Sequence, residues 1–333
     1  MSGALKRNLQ LLTGTPINSP MDAYAYIKLL KPKAYRSLAH FMGLHVATVD
    51  FFKKPKTYDN LELVKQHLSE ISISRTKEEL HGYNIKPMFP DSEYSLAPDH
   101  QKLYEKLVDE QLLTFTDGTV IDATTVQKLR HALQQIVVNY DHFSNEPTNR
   151  SAAYDLIDQT IEETNCAQQG SSKLIIWTKY KLTSRSVIAY LKEQKIVTVG
   201  AYSEADTERS INSFMDDDKT RILVANYQSA GAGLNPQHVC SEALFLEMDT
   251  VSLYMRQAIG RLDRVGQKLI PRMRFAVAEN TVQVGLYEDL LDNDNLVQSI
   301  EPSKKSIKEM LMGQVKRSGL SPSSAGSARK SPL

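Results

Sequence analysis

Cysteine is nearly absent from this sequence: Cys166 and Cys240 are the only two in 333 residues. They lie far apart and outside any metal-ligand spacing. That argues against a disulfide scaffold and points to a reduced, intracellular compartment, cytoplasm or nucleoid in one kind of cell and nucleus or virally infected cytoplasm in another. The eight histidines form no His-x-x-x-His or Cys-plus-His cluster, so no metal held by this chain alone is expected. No apolar run approaches the ~18 residues of a membrane helix. The first residues, MSGALKRN, lack the apolar core of a signal peptide. Excess charge is missing too. Forty basic residues against 39 acidic ones leave +1, which argues against an indiscriminate polyanion binder but leaves room for a local groove. The loop G-x-x-x-x-G-K-[S/T], whose amides cradle nucleotide phosphates, occurs nowhere.

What is present is ordinary soluble composition, 41% apolar and 24% charged, in a chain long enough for two domains. Short, nearly unbroken apolar runs recur at Leu174–Trp177, Ile222–Asn226, Ala243–Glu247 and Arg274–Ala278, with a weaker one at Ile196–Val199. Runs without polar alternation suit strands buried on both faces. Between them lie helical patterns, one opened by Ser203-x-x-Asp206 with Ile211, Phe214 and Met215 facing inward. Residues 169–300 are therefore expected to form an α/β domain around a parallel sheet. Residues 21–168 read as mainly helical, from the spacing of Leu103, Leu107 and Val108 and of Leu129, Leu133, Ile136 and Val137, interrupted by Pro87, Pro90 and Pro98. Leu9–Thr13 reads as a buried strand ending in the turn Gly14-Thr15-Pro16. Little precedes it to complete a sheet, so residues 1–20 are expected to be the end of another lobe. Residues 301–333 form a low-complexity tail in which seven basic residues face only Glu301 and Glu309, a net charge of +5. A solvated tail and a salt-sensitive phosphate contact are both compatible with it.

The most informative segment is Gln257-Ala-Ile-Gly-Arg261-Leu-Asp-Arg264-Val-Gly-Gln267. In a helix, positions 257, 261 and 264 share one face, while Met255, Ile259 and Leu262 lie roughly opposite. One face would pack on the sheet and the other would present an amide and two guanidiniums, whose planar forks suit a phosphate. The alternative, a solvated basic face, does not account for the flanking Gln and the closing Gly-Gln.

This segment resembles motif VI of Swi/Snf-type superfamily-two helicases and DNA translocases, Q-A-x-x-R-x-x-R-x-G-Q. The resemblance implies that Arg264 is an arginine finger, Arg261 its neighbour at the nucleotide cleft, and Gln257 a coupling residue. Other segments follow in the family's order. Leu12-Thr13-Gly14-Thr15-Pro16-Ile17 resembles motif III, implying a coupling role for Thr13, Gly14 and Thr15. Ser74-Arg75-Thr76-Lys77-Glu78-Glu79-Leu80 resembles an R-T-K-x-E segment, with Ser74 where the family often has a second arginine. Lys173–Tyr180 resembles motif IV, implying that Thr178 lies near the nucleic-acid backbone. Ser229-Ala-Gly-Ala-Gly233-Leu-Asn235 resembles motif V, implying DNA contact at Ser229 and nucleotide contact at Gly233 and Asn235.

By resemblance, then, the expected fold is α/β, a RecA-like helicase C-terminal lobe preceded by a mainly helical region. The expected function is the C-terminal half of an ATP-dependent DNA translocase. It would act on DNA with ATP and Mg2+ held mainly by an N-terminal ATPase lobe on another chain or a missing region. The rival expectation is a non-catalytic DNA- or protein-binding module derived from such a motor.

Overall fold

The computed structural model describes residues 9–13, 17–50, 53–75, 77–82, 85–114, 120–144, 150–230, 234–249 and 251–300. The chain divides into two compact units, one formed by Met1–Ser74 and Asn295–Lys304, the other by Arg75–Asp294 and Lys305–Leu333.

In the first unit, Pro20 opens α1 (Pro20–Leu30), and the Asp22 carboxylate accepts from the amides of Asn18 and Ser19 at 3.0 Å each. Then come α2 (Leu38–His45), an antiparallel hairpin of β1 (Val46–Val49) and β2 (Pro55–Tyr58), and α3 (Leu61–Ile71). Their core gathers Ile17, Ile27, Tyr35, Phe41, Val64, Leu68 and Val297. Leu9–Thr13 is not the buried strand expected from sequence. It is coil, with Leu12 94% exposed, because no strand among the described residues pairs with it.

The second unit begins with α4 (Lys77–His81), β3 (Glu93–Tyr94), α5 (Pro98–Glu110), the hairpin β4 (Leu112–Thr114) and β5 (Val120–Asp122), α6 (Val126–Val138), α7 (Tyr140–Phe143) and α8 (Ala152–Thr164). It continues β6 (Lys173–Thr178), α9 (Lys181–Glu193), β7 (Thr198–Ala201), α10 (Glu204–Asp216), β8 (Ile222–Asn226), α11 (Tyr227–Ala230), β9 (Cys240–Phe245), α12 (Ser252–Leu262), β10 (Arg272–Phe275), β11 (Val277–Ala278) and the start of α13 (Val282–Ile300), whose residues from Asn295 onward belong to the first unit. Five strands form one parallel sheet in the order β10-β9-β6-β8-β7. From β6 the chain goes to the edge strand β7, returns to place β8 between them, then crosses to β9 and β10 on the other side. Such a reversal leaves a crevice at the carboxyl ends of the central strands.

Both faces of β6, β8 and β9 are buried, which is why their sequences run apolar without alternation. Leu174, Ile176, Ile222, Val224 and Leu244 face one core with α5, α6, α8 and α9. Ile175, Trp177, Leu223, Ala225 and Phe245 face the other with Phe214 of α10 and Met255, Ile259 and Leu262 of α12. The fold is the α/β, RecA-like parallel-sheet lobe expected from sequence, preceded by a mainly helical region.

Individual strands move from their expected places for local reasons. The Ile196–Val199 run becomes β7 two residues later, because the Ile196 amide still bonds Leu191 O at 3.0 Å and Lys195 adopts φ +59° to leave the helix. The Arg274–Ala278 run splits at Ala276: β10 pairs with β9, and β11 pairs with β3. The Ala243–Glu247 run becomes β9, which starts at Cys240 and stops before Leu246, leaving Glu247 just beyond the sheet.

Candidate functional site

The residues singled out by sequence fall into two groups. The first surrounds α12. Met255, Ile259 and Leu262 bury 96% or more of their surface against the sheet, and Gln257 and Arg261 lie one turn apart on a half-buried flank. The helix ends at Leu262, two residues short of Arg264, so Arg264 does not extend the helical face as the spacing had implied. Asp263 leaves helical geometry at ψ 75°, the Arg264 amide turns back to Leu262 O at 2.9 Å, and the Gln267 amide bonds Arg264 O at 3.1 Å. Arg264 thus sits exposed in a tight turn that Gly266 closes at φ +95°. The Gln267 side chain, 6% exposed, pins that turn to the sheet: its Nε2 donates to Cys240 O at the start of β9 at 2.9 Å, and its Oε1 accepts from the amides of Lys268 and Leu269.

Arg261 reaches across to the segment that follows β8 and α11. Its Nη1 donates to Leu234 O at 3.1 Å, beside exposed Asn235, which precedes a 3-10 turn at Pro236–His238. Burial, and then the nearby charge of Arg264, lower the Arg261 pKa from its usual value. The two guanidiniums thus lie within electrostatic reach of each other, one half-buried and one in solvent, and no residue among those described bonds the Arg264 side chain. Neighbouring like charges of this kind favour an anion nearby. Of the sequence-derived candidates, Arg261 bonds the carbonyl of the residue before Asn235 and feels the charge of Arg264, and Gln257 lies one turn before it on α12. Gly233 lies outside the described residues.

The second group lies at the carboxyl ends of the strands. Thr178 pairs in register with Asn226, and Ser229, half-buried, follows three residues later in α11. Thr178 itself is fully buried. Its hydroxyl meets Ser184 Oγ at 2.7 Å and Ala225 O at 3.4 Å, so it has no surface with which to touch a backbone outside. The groups that do reach solvent here are its successors: Lys179 and Tyr180 are half-buried, and Lys181 and Arg185, one turn apart at the start of α9, are exposed. Tyr180 Oη donates to Gln134 Oε1 at 2.8 Å and lies 2.7 Å from His131 Nδ1, anchoring the loop to α6.

Sequence reasoning missed the residue that organises this end. Glu247 is 2% exposed, and its carboxylate accepts from the amides of Lys179 and Tyr180 at 2.8 and 3.0 Å and from Thr183 Oγ1 at 2.6 Å. It thereby caps the N-terminus of α9, where a negative charge is favoured. Tyr227 Oη donates to Glu247 O at 2.6 Å, and Asn226 Nδ2 donates to Lys179 O at 2.6 Å, so the ends of β6, β8 and β9 are tied together. Burial raises the Glu247 carboxyl to about 7. The available signal was an acid embedded in the apolar run Ala-Leu-Phe-Leu-Glu-Met.

Thr13 lies in exposed coil of the first unit, and Gly14 and Thr15 lie outside the described residues. Among the described residues no group of His, Cys, Asp and Glu is arranged to hold a metal ion, and no helix is long and apolar enough to cross a membrane.

Motif order and sheet topology thus define a class: the chain resembles the C-terminal half of a Swi/Snf-type helicase or DNA translocase. No protein-family profile matches it. Among curated proteins it is 25% identical over 296 residues to an uncharacterized ATP-dependent helicase of Mycoplasma pneumoniae, covering 86% of this chain and 27% of that protein. It is 22% identical over 287 residues to the DNA annealing helicase and endonuclease ZRANB3 of Mus musculus, covering 83% of this chain and 25% of that protein. The chain therefore spans about a quarter of the length of these relatives. Among solved structures, the Sulfolobus solfataricus SWI2/SNF2 ATPase core domain aligns with TM-score 0.47 and 19% identity, over 92% of this chain and 63% of that one. The C-terminal part of the Fun30 ATPase domain aligns with TM-score 0.46 and 13% identity, over 66% and 96% respectively.

Proposed function

We propose that this chain is the C-terminal motor half of an ATP-driven DNA translocase, and that Arg264 is its arginine finger. One observation carries the reading. The Arg264 guanidinium stands in solvent on a pinned turn just past the end of α12, and the half-buried Arg261 guanidinium three residues before it is tied to the Leu234 carbonyl and feels its charge. That arrangement fits the charge of a transferring phosphoryl group. The phosphate-binding loop and the carboxylates for Mg2+ belong to an N-terminal ATPase lobe, carried elsewhere in the protein or on another chain. The residues described here fit the phosphate oxygens and not the metal, since the acid nearest the arginines in sequence, Asp263, is bridged to Lys77 at 2.6 Å. DNA would lie over the carboxyl ends of the sheet, held through its phosphates by Lys179, Lys181 and Arg185 with Ser229 nearby, and read without base specificity. Thr178 would contribute from below, by holding Ser184 and the start of α9.

The test supplies a Swi/Snf-type N-terminal ATPase lobe, in trans or fused, and measures ATP turnover with and without DNA. Arg264→Ala should cut DNA-stimulated turnover by at least ~10³, the lower end for a lost arginine finger, and leave DNA affinity unchanged. Arg264→Lys should rescue poorly, because an ammonium keeps the charge and loses the planar fork. Loss of DNA binding with intact basal turnover in Arg264→Ala would overturn the assignment.

A further inference from the structure

The structure places the lysine of the R-T-K-x-E-like segment on the arginine turn. Lys77, the first residue of α4, lies 186 positions before Asp263, yet its Nζ donates to Asp263 O at 2.5 Å and sits 2.6 Å from Asp263 Oδ2. Asp263 is the C-cap of α12 and lies between Arg261 and Arg264. Its carbonyl belongs to the helix end whose carbonyls have no intrahelical partner, a place where a lysine is favoured. The side chains are 41% and 19% exposed, so the acid is more enclosed than the lysine that holds it.

We infer that Lys77 is a positioning residue for Arg264, acting through Asp263. The reading rests on the proposed role of Arg264 at the nucleotide. Two effects follow from one ammonium. By bonding the Asp263 carbonyl it fixes the point where α12 breaks and Arg264 is turned outward. By bonding the Asp263 carboxylate it occupies the only acid in the Gln257–Gln267 segment. Without that partner, Asp263 is flanked by two arginines and draws a guanidinium onto itself. A finger paired in cis is no longer available to a phosphoryl group. Gln267 pins the far side of the turn to β9 and Lys77 pins the near side to α4, so the Arg264 backbone is held at both ends.

Lys77→Met keeps most of the stem and removes the charge. Hydrogen exchange on the full 333-residue chain should show the amides of Arg264 and Gln267 opening at least tenfold faster, with Ile222–Asn226 unchanged. In the motor completed with an N-terminal ATPase lobe, Lys77→Met should lower kcat at least tenfold and leave the KM for ATP and the DNA affinity in place. In an Arg264→Ala background it should have no further effect on kcat, since it acts only through that side chain. Lys77→Arg should restore most of the activity, and so should Asp263→Asn in the Lys77→Met background, by removing the acid that captures the finger. Unchanged exchange at Arg264 and Gln267, or a kcat loss that multiplies with that of Arg264→Ala, would overturn the inference. If Arg264→Ala proves silent in the completed motor, the proposed function fails, while the exchange result still decides whether Lys77 holds the turn.

Discussion

Glu247 illustrates how a single buried charge acts on both stability and geometry. Three donors face its carboxylate, but desolvation outweighs them and raises its pKa from 4.5 to about 7. In the unfolded chain the same group titrates near its ordinary value. The folded state therefore holds the proton more tightly, and the stability this contributes is full below pH ~4.5 and is lost as pH rises through ~7. The window corresponds to about 3 kcal/mol for this one group. Glu247→Gln cannot titrate and should show no such loss. Urea midpoints for the two proteins, measured from pH 4.5 to 7.5, should move in favour of the variant as pH rises. A stability difference that stays constant across that range would show that Glu247 keeps an ordinary pKa. Arg264 has the opposite character: it is exposed and held by backbone turns, and it contributes little to stability. The two residues differ in kind at this scale, one fixing the loop after β6 and the other left exposed to solvent.

Among the elements, the strands were the most legible in sequence, because a sheet covered on both faces demands unbroken apolar runs. Leu174–Trp177 and Ile222–Asn226 fall within β6 and β8 as read. The apolar run ending at Glu247 overshoots its strand because burial and strand pairing are different things: Leu246 is buried but lies past the last paired residue, Phe245. The side chains of Trp177, Phe245 and Phe275 stack across neighbouring strands at centroid separations of 6.4 and 4.7 Å, which no one-dimensional pattern reveals. The candidate site was legible where a motif is local. Arg261 and Arg264 were found by spacing, although the helix supporting that spacing stops at Leu262. Contacts between distant segments, Lys77 with Asp263 and Glu247 with Thr183, were invisible because the sequence gives no hint of which polar residues meet. The turn after α12 also explains its glycine. At φ +95° Gly266 occupies a conformation unfavourable for L side chains, and an added Cβ would stand 3.0 Å from His238 Cε1. Gly266→Ala should therefore cost about 1–2 kcal/mol. The loss should appear as a lower denaturation midpoint together with faster exchange at Gln267. An alanine variant as stable as the parent would mean that the turn relaxes without penalty.

On the scale of the whole molecule, the two ends of the sheet carry different chemistry. At the carboxyl ends of the strands the loop of Lys179 and Tyr180 and the start of α9 present basic groups, Lys181 and Arg185 among them. At the other end Gln267 binds the first carbonyl of β9, and α12, running back along the sheet, delivers Arg261 and Arg264 there. A β-strand rises ~3.3 Å per residue, so the six residues of β6 separate the two ends by roughly 20 Å. Basic groups at one end and the two arginines at the other suit the proposed motor half, in which closure on ATP would be relayed into movement along a strand. The same layout sets a limit on what this chain does alone. An arginine finger stabilises charge on a phosphoryl group that something else must hold, and the sequence contains no G-x-x-x-x-G-K-[S/T] loop to hold it. The 333-residue chain by itself should release no phosphate from ATP above background, with or without DNA. Highly purified chain assayed at saturating ATP and Mg2+ provides the check, with Arg264→Ala as the control for contaminating ATPases. Turnover that survives purification and disappears in the Arg264→Ala control would mean that the γ-phosphate is cradled within this chain, and the division of labour between two lobes would have to be abandoned.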